Sequence, residues 1–285
     1  MYGYRILKKA VALLLCCAAL ISMRTPTAAA PLSSAPLLDA VVTDPSVLMD
    51  VLNQNTQTGH LVSRVYRYAG RGTPIGSLEN NTLITVLGSS GEFYRINCHD
   101  MEGYIPKSQV RCDENGQYYV SCDPNSRDSK YLPTRSTQAA STMRGAARQV
   151  ALSLQGIPYV SGGTTPRGFD CSGFTMYVLK KVGLNIDRNL MIQLADGIII
   201  PKSELQCGDL VFFSNTTGWG HFASHIGIYL GDGKLIHAGS KGITVVDLAS
   251  DYFTYYYQCS RRVILADLTP SISGGLQKAP ASSWR

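Results

Sequence analysis

The clearest hydrophobic periodicity in the chain follows Cys171. Phe174, Val178 and Val182 recur at the three- to four-residue spacing of a helix, and Gly183 is suited to end it. A glycine-containing loop comes directly before Cys171. The pattern therefore predicts a helix from Cys171 to Val182 whose first residue is a cysteine.

A second helix is predicted upstream of this one, and a run of strands downstream. Val150 and Leu154 fall on one helix face, Ser141 is the expected N-cap, and the Gly156-Ile157-Pro158 sequence ends the helix. The further predicted elements are a short helix at 189–195 and strands at 209–213, 226–230, 234–237, 243–247 and 261–265. Helices followed by strands indicate an α+β domain, which we assign to residues 141–265.

Short strands separated by turns dominate residues 60–112. Apolar runs occur at 83–87, 93–96 and 103–106, and a Gly-Ser-Ser-Gly turn separates the first two. This pattern predicts a small all-β barrel. The remaining segments are assigned as a leader or spacer at 30–59, a polar linker at 113–140 and a mobile tail at 266–285.

The first 29 residues are typical of a secretory signal peptide. A basic start precedes an apolar run at 10–21 that is too short to span a membrane, and small residues near Ala29 offer a cleavage site. We therefore expect an exported protein without a stable membrane anchor after cleavage. Removing this acid-free segment with its four basic residues lowers the formal charge from +6 to +2, so a nucleic-acid partner has no electrostatic support.

Cys171 is the first candidate for catalysis. Free backbone N–H groups and the helix dipole at a helix start stabilise a thiolate, which is the nucleophilic form of cysteine. The ordinary alternative is a buried structural cysteine. Of the eight cysteines, six follow the signal segment, and no CxxC pair occurs among these six, which argues against a zinc ribbon. Keeping Cys171 free leaves an odd number for disulfide pairing.

Two histidines further along the chain favour the catalytic interpretation of Cys171 over the structural one. A three-residue loop at 231–233 is expected to close a β-hairpin and to pair Gly227 with His237. Alternation along the strand then puts His225 on the same face as His237, close enough for the side chains to meet. A two-residue loop would put them on opposite faces. The hairpin thus offers one imidazole as a base for a thiol and another to orient it.

Other catalytic chemistries are less well supported. We interpret His60, His99 and His221 as ordinary surface or core residues. His221 and His225 have the HxxxH spacing of helical zinc ligands, but a strand follows them here, so no metal site is predicted. No GxSxG sequence supports a serine hydrolase.

Four short sequences together resemble the NlpC-type cell-wall cysteine peptidases, which are papain-like enzymes of bacterial peptidoglycan. The matching stretches lie at 158–163, 169–173, 208–213 and 224–229. The resemblance implies Cys171 as nucleophile, His225 as general base and His237 as the residue that orients it. Leu190 and Phe253 depart from the family, which usually has Ser or Thr at the first position and commonly Trp at the second.

The resemblance also implies a set of substrate contacts. Tyr159 matches a tyrosine whose hydroxyl helps to hold the oxyanion. Asp170 and Ser172 match residues that line the amino side of the substrate, and Ser224 is taken as a further substrate-binding residue. A second interpretation of Asp170 stays open, because an aspartate at this position can cap the helix.

The function implied is that of an exported bacterial γ-D-glutamyl endopeptidase, acting in the cell wall on peptidoglycan stem peptides by a Cys-His-His mechanism without a cofactor. The alternatives are a papain-like amidase or acyltransferase and a non-catalytic wall-binding protein. The sequence leaves open the third residue of the stem peptide, any need for a free N-terminal amine, and the oligomeric state.

Two further expectations depend on resemblance. Residues 76–96 and 102–110 resemble the bacterial Src-homology-3-like domains of exported wall proteins, which implies a module that is either structural or wall-binding. In the NlpC-type fold the last strand lies beside the first, so Cys207 and Cys259 are expected to approach bonding distance.

Overall fold

The computed structural model of the protein describes residues 59–99, 101–218 and 222–266. The predicted signal peptide at 1–29, nearly all of the spacer at 30–59 and nearly all of the tail at 266–285 lie outside the described residues. In the part that is described, no helix is both long enough and apolar enough to cross a membrane.

The N-terminal half of the described chain forms one mainly antiparallel sheet. Its strands are β1 (Gly59–Tyr68), β2 (Arg71–Glu79), β3 (Leu83–Ser90), β4 (Phe93–Cys98), β5 (Met101–Pro106), β6 (Val110–Cys112), β7 (Tyr118–Val120) and β8 (Ser129–Arg135), with a 3-10 turn at Lys107–Gln109. The order across the sheet is β8-β1-β5-β4-β3-β7-β6, and β2 pairs with β1. Strands β1 to β6 fall in the segment predicted to be all-β, while its barrel closure stays a prediction.

The stretch predicted as a linker, 113–140, is instead part of this sheet. It contains β7 and β8, and β8 runs antiparallel to β1 with His60 opposite Leu132. The polar, turn-rich composition misled the prediction because β7 has only three residues and the partner of β8 is the distant strand β1. A last strand, β17 (Leu265–Ala266), pairs in parallel with β8 and brings the C-terminal half onto the same sheet.

The C-terminal half has helices first and an antiparallel sheet afterwards, as the α+β prediction required. Its helices are α1 (Thr137–Ser153), α2 (Cys171–Lys181), α3 (Leu190–Gln193) and α4 (Asp251–Tyr256). Its strands are β9 (Thr164–Thr165), β10 (Gly168–Phe169), β11 (Ile198–Ile200), β12 (Leu210–Phe213), β13 (His225–Gly231), β14 (Lys234–Gly239), β15 (Gly242–Asp247) and β16 (Tyr257–Arg262), with a 3-10 turn at Lys202–Glu204. The main sheet has the order β11-β16-β12-β13-β14-β15.

Helix α2 confirms the predicted helix, whereas α1 begins earlier than predicted. The side chain of Asp170 caps α2, and Gly183 ends it with a φ of 81°. The N-cap of α1 is Ser136, whose hydroxyl accepts a hydrogen bond from the N–H of Ala139. Ser141 lies within α1, because buried alanines extend the packed face of this helix towards its N-terminus.

Further elements and contacts differ from the sequence expectations. Strand β11 and helix α4 were not predicted, since β11 is only three residues long and the aromatic residues of α4 favour strands. The Cys207–Cys259 bridge was also wrong, because both thiols are free. The antiparallel register sets Phe212 opposite Cys259, which separates the two cysteines by several residues along the sheet.

A buried arginine joins the two halves of the chain. Arg261 of β16 is 0% exposed, and its guanidinium donates to the carbonyls of Leu194 at 2.9 Å, Ser260 at 2.7 Å and Ile75. Ile75 belongs to β2 of the N-terminal sheet. A Cβ atom at neighbouring Gly76 would lie only 2.9 Å from Nε of Arg261. The two sheets therefore pack in direct contact, and a single hydrophobic core runs through both.

Replacing Arg261 with lysine tests this connection. An ammonium group cannot reach all three carbonyls, so buried acceptors lose their partners, and we expect the free energy of unfolding to fall by about 2–4 kcal/mol. Urea denaturation followed by circular dichroism measures the change. The matched control is Arg95→Lys on the exposed side of β4, which should cost less than about 0.5 kcal/mol. Equal denaturation midpoints for the two variants would contradict the role of Arg261.

Candidate active site

Cys171 is the first residue of α2 and lies partly buried against β13. Burial raises the pKa of its thiol, and the negative charge of Asp170 adds to the rise. Backbone hydrogen bonds from Ser172, Ile226 and Cys171 itself act in the opposite direction. The sequence predicted a thiolate stabilised by the helix start. Desolvation outweighs that stabilisation here, so the resting form is the thiol.

The two hairpin histidines are in direct contact. Nε2 of His225 lies 2.8 Å from Nδ1 of His237. The ring centroids are 4.9 Å apart, and the ring planes are nearly perpendicular. One of the two nitrogens must carry the proton for this hydrogen bond to form. The contact confirms the prediction that both side chains lie on one face of the hairpin.

The register of the hairpin matches the prediction although the turn does not. The loop has two residues, Asp232 and Gly233, both with positive φ, and Gly231 pairs with Lys234. A two-residue loop alone would turn the histidines to opposite faces. A β-bulge between Tyr229 and Gly231 adds one residue to the first strand and restores the expected alignment.

Burial keeps both histidines neutral. Desolvation, aided by the neighbouring His237, lowers the pKa of His225 to about 3. Desolvation alone lowers the pKa of His237 to about 4. Aromatic rings supply much of the apolar surroundings, with Phe213 6.0 Å from the ring of His225 and Phe253 5.1 Å from that of His237. Near pH 7 the His225 imidazole is therefore in the form that accepts a proton.

Asp170 already has several partners in the free protein. One carboxylate oxygen accepts from the N–H of Gly173 at 2.8 Å and caps α2. The other accepts from the N–H of Gly162 at 2.9 Å and from the guanidinium of Arg188. Arg188 also donates to the hydroxyl of Ser172 at 2.6 Å. The helix-cap reading of Asp170 is thus observed directly.

The sequence analysis missed Arg188. It lies 18 residues after Asp170, directly before the N-cap of the short helix α3, and no local periodicity marks it. Its contact with Asp170 depends on the tertiary fold, so the sequence carries no local signal of it. Arg188 brings a positive charge to the position where the resemblance implied a substrate ammonium.

The Tyr159 side chain is partly exposed, whereas the Ser224 hydroxyl is hydrogen-bonded within the protein. Tyr159 is 43% exposed, and partial burial together with the charges of Cys171 and Asp170 raises the pKa of its phenol. Its hydroxyl therefore shares the electrostatic surroundings of Cys171. The hydroxyl of Ser224 lies 2.7 Å from that of Thr216 and accepts from the Thr216 N–H at 2.8 Å. Ser224 thus holds the loop before β13.

The described residues give no support to the alternative of a metal site at His221 and His225. His221, which the HxxxH alternative requires, lies outside the described residues. Within the described ranges, no group of three or more His, Cys, Asp and Glu side chains is arranged to hold a metal ion.

Known proteins are similar in sequence to the part of the chain that contains the candidate site. Residues 156–262 match the NlpC/P60 family. A γ-D-glutamyl-L-lysine dipeptidyl-peptidase of Bacillus cereus is 36% identical over 111 residues, which are 38% of this chain and 33% of that protein. The murein DD-endopeptidase MepH of Escherichia coli is 44% identical over 115 residues, which are 38% of this chain and 42% of that protein.

The similarity is confined to one region in each case. The match spans about a third of the length of the Bacillus cereus relative and less than half of that of MepH. A crystal structure of an NlpC/P60 family protein from Bacillus cereus aligns over 75% of this chain and 66% of its own, with 25% identity and a TM-score of 0.39. The region that matches the NlpC/P60 family contains Cys171, His225 and His237.

Proposed function

We propose that this protein is an exported cysteine endopeptidase that cleaves peptidoglycan stem peptides after γ-D-glutamate. The observation that carries the proposal is the 2.8 Å contact between His225 and His237, with the thiol of Cys171 beside the strand that bears His225. This is the nucleophile, base and orienting group that thiol catalysis needs. A buried structural cysteine has no need of two neutral imidazoles.

The reaction begins from a neutral thiol and a neutral imidazole. Nε2 of His225 faces His237, so Nδ1 is the nitrogen left for the thiol proton. His225 takes this proton as the sulfur of Cys171 bonds to the amide carbon, and it then gives the proton to the leaving amine. Water cleaves the thioester in the second half. His225 removes its proton, and the free acid and the thiol are released.

The groups around the start of α2 support this chemistry. The N–H groups at a helix start are suited to a developing oxyanion, and Tyr159 offers a hydroxyl from the exposed side. His237 acts as a positioning residue, because its bond to Nε2 fixes the ring of His225. Ser224 is proposed to act on substrate only through the loop that it holds.

The names of the relatives support a cell-wall substrate without agreeing on the bond. One is named a γ-D-glutamyl-L-lysine dipeptidyl-peptidase, another a murein DD-endopeptidase, and a protein of Bacillus subtilis that is 43% identical over 101 residues a γ-DL-glutamyl hydrolase. The γ-D-glutamyl bond is our choice for this chain. Digesting defined muropeptides and weighing the products tests the bond directly.

Substitutions of the three proposed catalytic groups should differ in severity. Cys171→Ala should abolish turnover and leave the circular dichroism spectrum unchanged. His225→Ala should be nearly as severe, whereas His237→Asn should lower kcat by roughly ten- to a thousandfold, because the base remains and only its orientation is lost. Initial rates on a defined muropeptide measure this. Full activity of Cys171→Ala would overturn the peptidase proposal, and wild-type activity of His237→Asn would remove the role of His237.

The pH dependence of kcat/KM should reflect the buried base. His225 acts in its neutral form, and a pKa near 3 keeps it neutral as the pH falls from 7 to 5. We therefore expect kcat/KM at pH 5 to stay within about a factor of two of its value at pH 7. An unperturbed histidine with a pKa of about 6.5 would lose activity by more than about tenfold over this range. An acid limb centred near pH 6.5 would contradict the structure-based assignment.

A further prediction concerns the free N-terminal amine of the substrate. Asp170→Asn separates two roles, since asparagine still caps a helix but has no charge to attract an ammonium group. The Asp170 carboxylate can accept from an ammonium group beside its bond to Arg188, so stem peptides with a free N-terminal L-alanine should be cleaved about tenfold or more faster than acetylated ones, and Asp170→Asn should abolish this preference. The control is Asp187→Asn, an exposed carboxylate on the adjacent loop. Equal rates on the two substrates in the wild type would leave Asp170 only its structural role.

A further inference from the structure

Arg67 connects the N-terminal sheet to the segment that leads to His225. It belongs to β1, and its guanidinium carbon lies over the ring of Phe222, 5.3 Å from the ring centroid. Phe222 precedes His225 by three residues, so their Cα atoms are at most about 11 Å apart. Ala223, which follows Phe222, is buried. The contact therefore holds Arg67 close to the end of β13 that carries the proposed base.

The guanidinium of Arg67 contacts aromatic rings and pairs with no acid. It also lies over the ring of Tyr68, 5.2 Å from the centroid, and Tyr68 is 64% exposed. Cation–π contacts use the face of the guanidinium plane, so the N–H groups in that plane stay free to donate. Within residues 59–99, 101–218 and 222–266, no carboxylate forms an ion pair with Arg67. Arg71, in the same hairpin, is bound to Asp128.

The sequence on both sides of this contact adds no negative charge. Residues 60–78 of the hairpin and residues 214–224 of the loop contain neither Asp nor Glu. An oriented, solvent-accessible guanidinium without an acidic partner is suited to an anionic ligand. Arg67 lies outside residues 156–262, so the family match assigns it no role.

We propose that Arg67 is a specificity residue that binds a carboxylate on the side chain of the third stem-peptide residue. The inference rests on the proposed function, in which His225 gives its proton to the leaving amine. That amine belongs to the third residue, so the third residue lies beside His225, whereas the N-terminal residue lies towards Asp170. A diaminopimelate side chain ends in a carboxylate and an ammonium group, and a lysine side chain ends in an ammonium group alone. A guanidinium at this place bonds to the first and repels the second.

The test compares tetrapeptides of the form L-Ala-γ-D-Glu-X-D-Ala, in which X is diaminopimelate, its side-chain amide or L-lysine. Wild-type kcat/KM should be about three- to tenfold higher for diaminopimelate than for its amide or for lysine. Arg67→Gln should bring the ratio of diaminopimelate to its amide close to one, and Arg67→Lys should keep part of it. The matched control is Arg111→Gln, which removes an exposed arginine that lies 4.7 Å from the ring centroid of Tyr119 on the distant pair β6–β7. This control should keep the full ratio.

Binding provides a second measurement that does not depend on cleavage. In a Cys171→Ala background, calorimetric titration with the same peptides should show tighter binding of the diaminopimelate peptide than of its amide. Adding Arg67→Gln should remove the difference.

Three results would overturn the role of Arg67. The first is equal wild-type rates on diaminopimelate and its amide, and the second is a preference that survives Arg67→Gln. The third is an effect of Arg67→Gln that follows amidation of the D-glutamate α-carboxylate, since that group lies on the acyl side of the bond. Cleavage of a different bond, with the binding difference intact, would instead overturn the proposed γ-D-glutamyl specificity.

Discussion

A guanidinium group without solvent contact holds the two sheets of this protein together. Arg261 lies on β16, between β11 and β12, and bonds to a carbonyl of β2 in the other sheet. Buried arginines usually face carboxylates, but this one donates to backbone carbonyls and to the sulfur of Met101 at 3.3 Å. The C-terminal half and the strand-rich N-terminal half consequently share one core.

Burial from water also determines the electrostatics of the candidate site. Burial raises the pKa of the Cys171 thiol and lowers those of both histidines, so every member of the proposed catalytic set prefers its neutral form. Charge then develops only when a substrate arrives. A site of this kind gains from fixed dipoles around the sulfur, because these stabilise the charge of the reacting state without prior reorganisation.

Local patterns predicted the elements that depend on neighbours in sequence. The helix after Cys171 followed from its periodicity and its terminal glycine, and the strands from alternation and turns. The histidine contact was predicted correctly from a loop length that turned out to be wrong, because the bulge at residues 229–231 compensates for the shorter turn. The sequence pattern could not distinguish these two routes to the same register.

Features that depend on distant partners were not predictable in this way. The pairing of β8 with β1, the bond of Arg188 to Asp170 and the burial of Arg261 all join residues remote in sequence. The expected disulfide was wrong for a similar reason, since strand neighbours were assumed without a register.

The order of strands in the C-terminal sheet has a consequence for how the protein is made. Strand β16, formed by residues 257–262, lies in the interior of the sheet, between β11 and the β12–β13–β14 group that carries both histidines. A nascent chain that stops before Tyr257 contains every proposed catalytic residue, yet β12 lacks one of its two partners and the Arg261 contact is missing. The sheet that carries both histidines is therefore complete only after residues 257–262 have been synthesised, although every proposed catalytic residue precedes them.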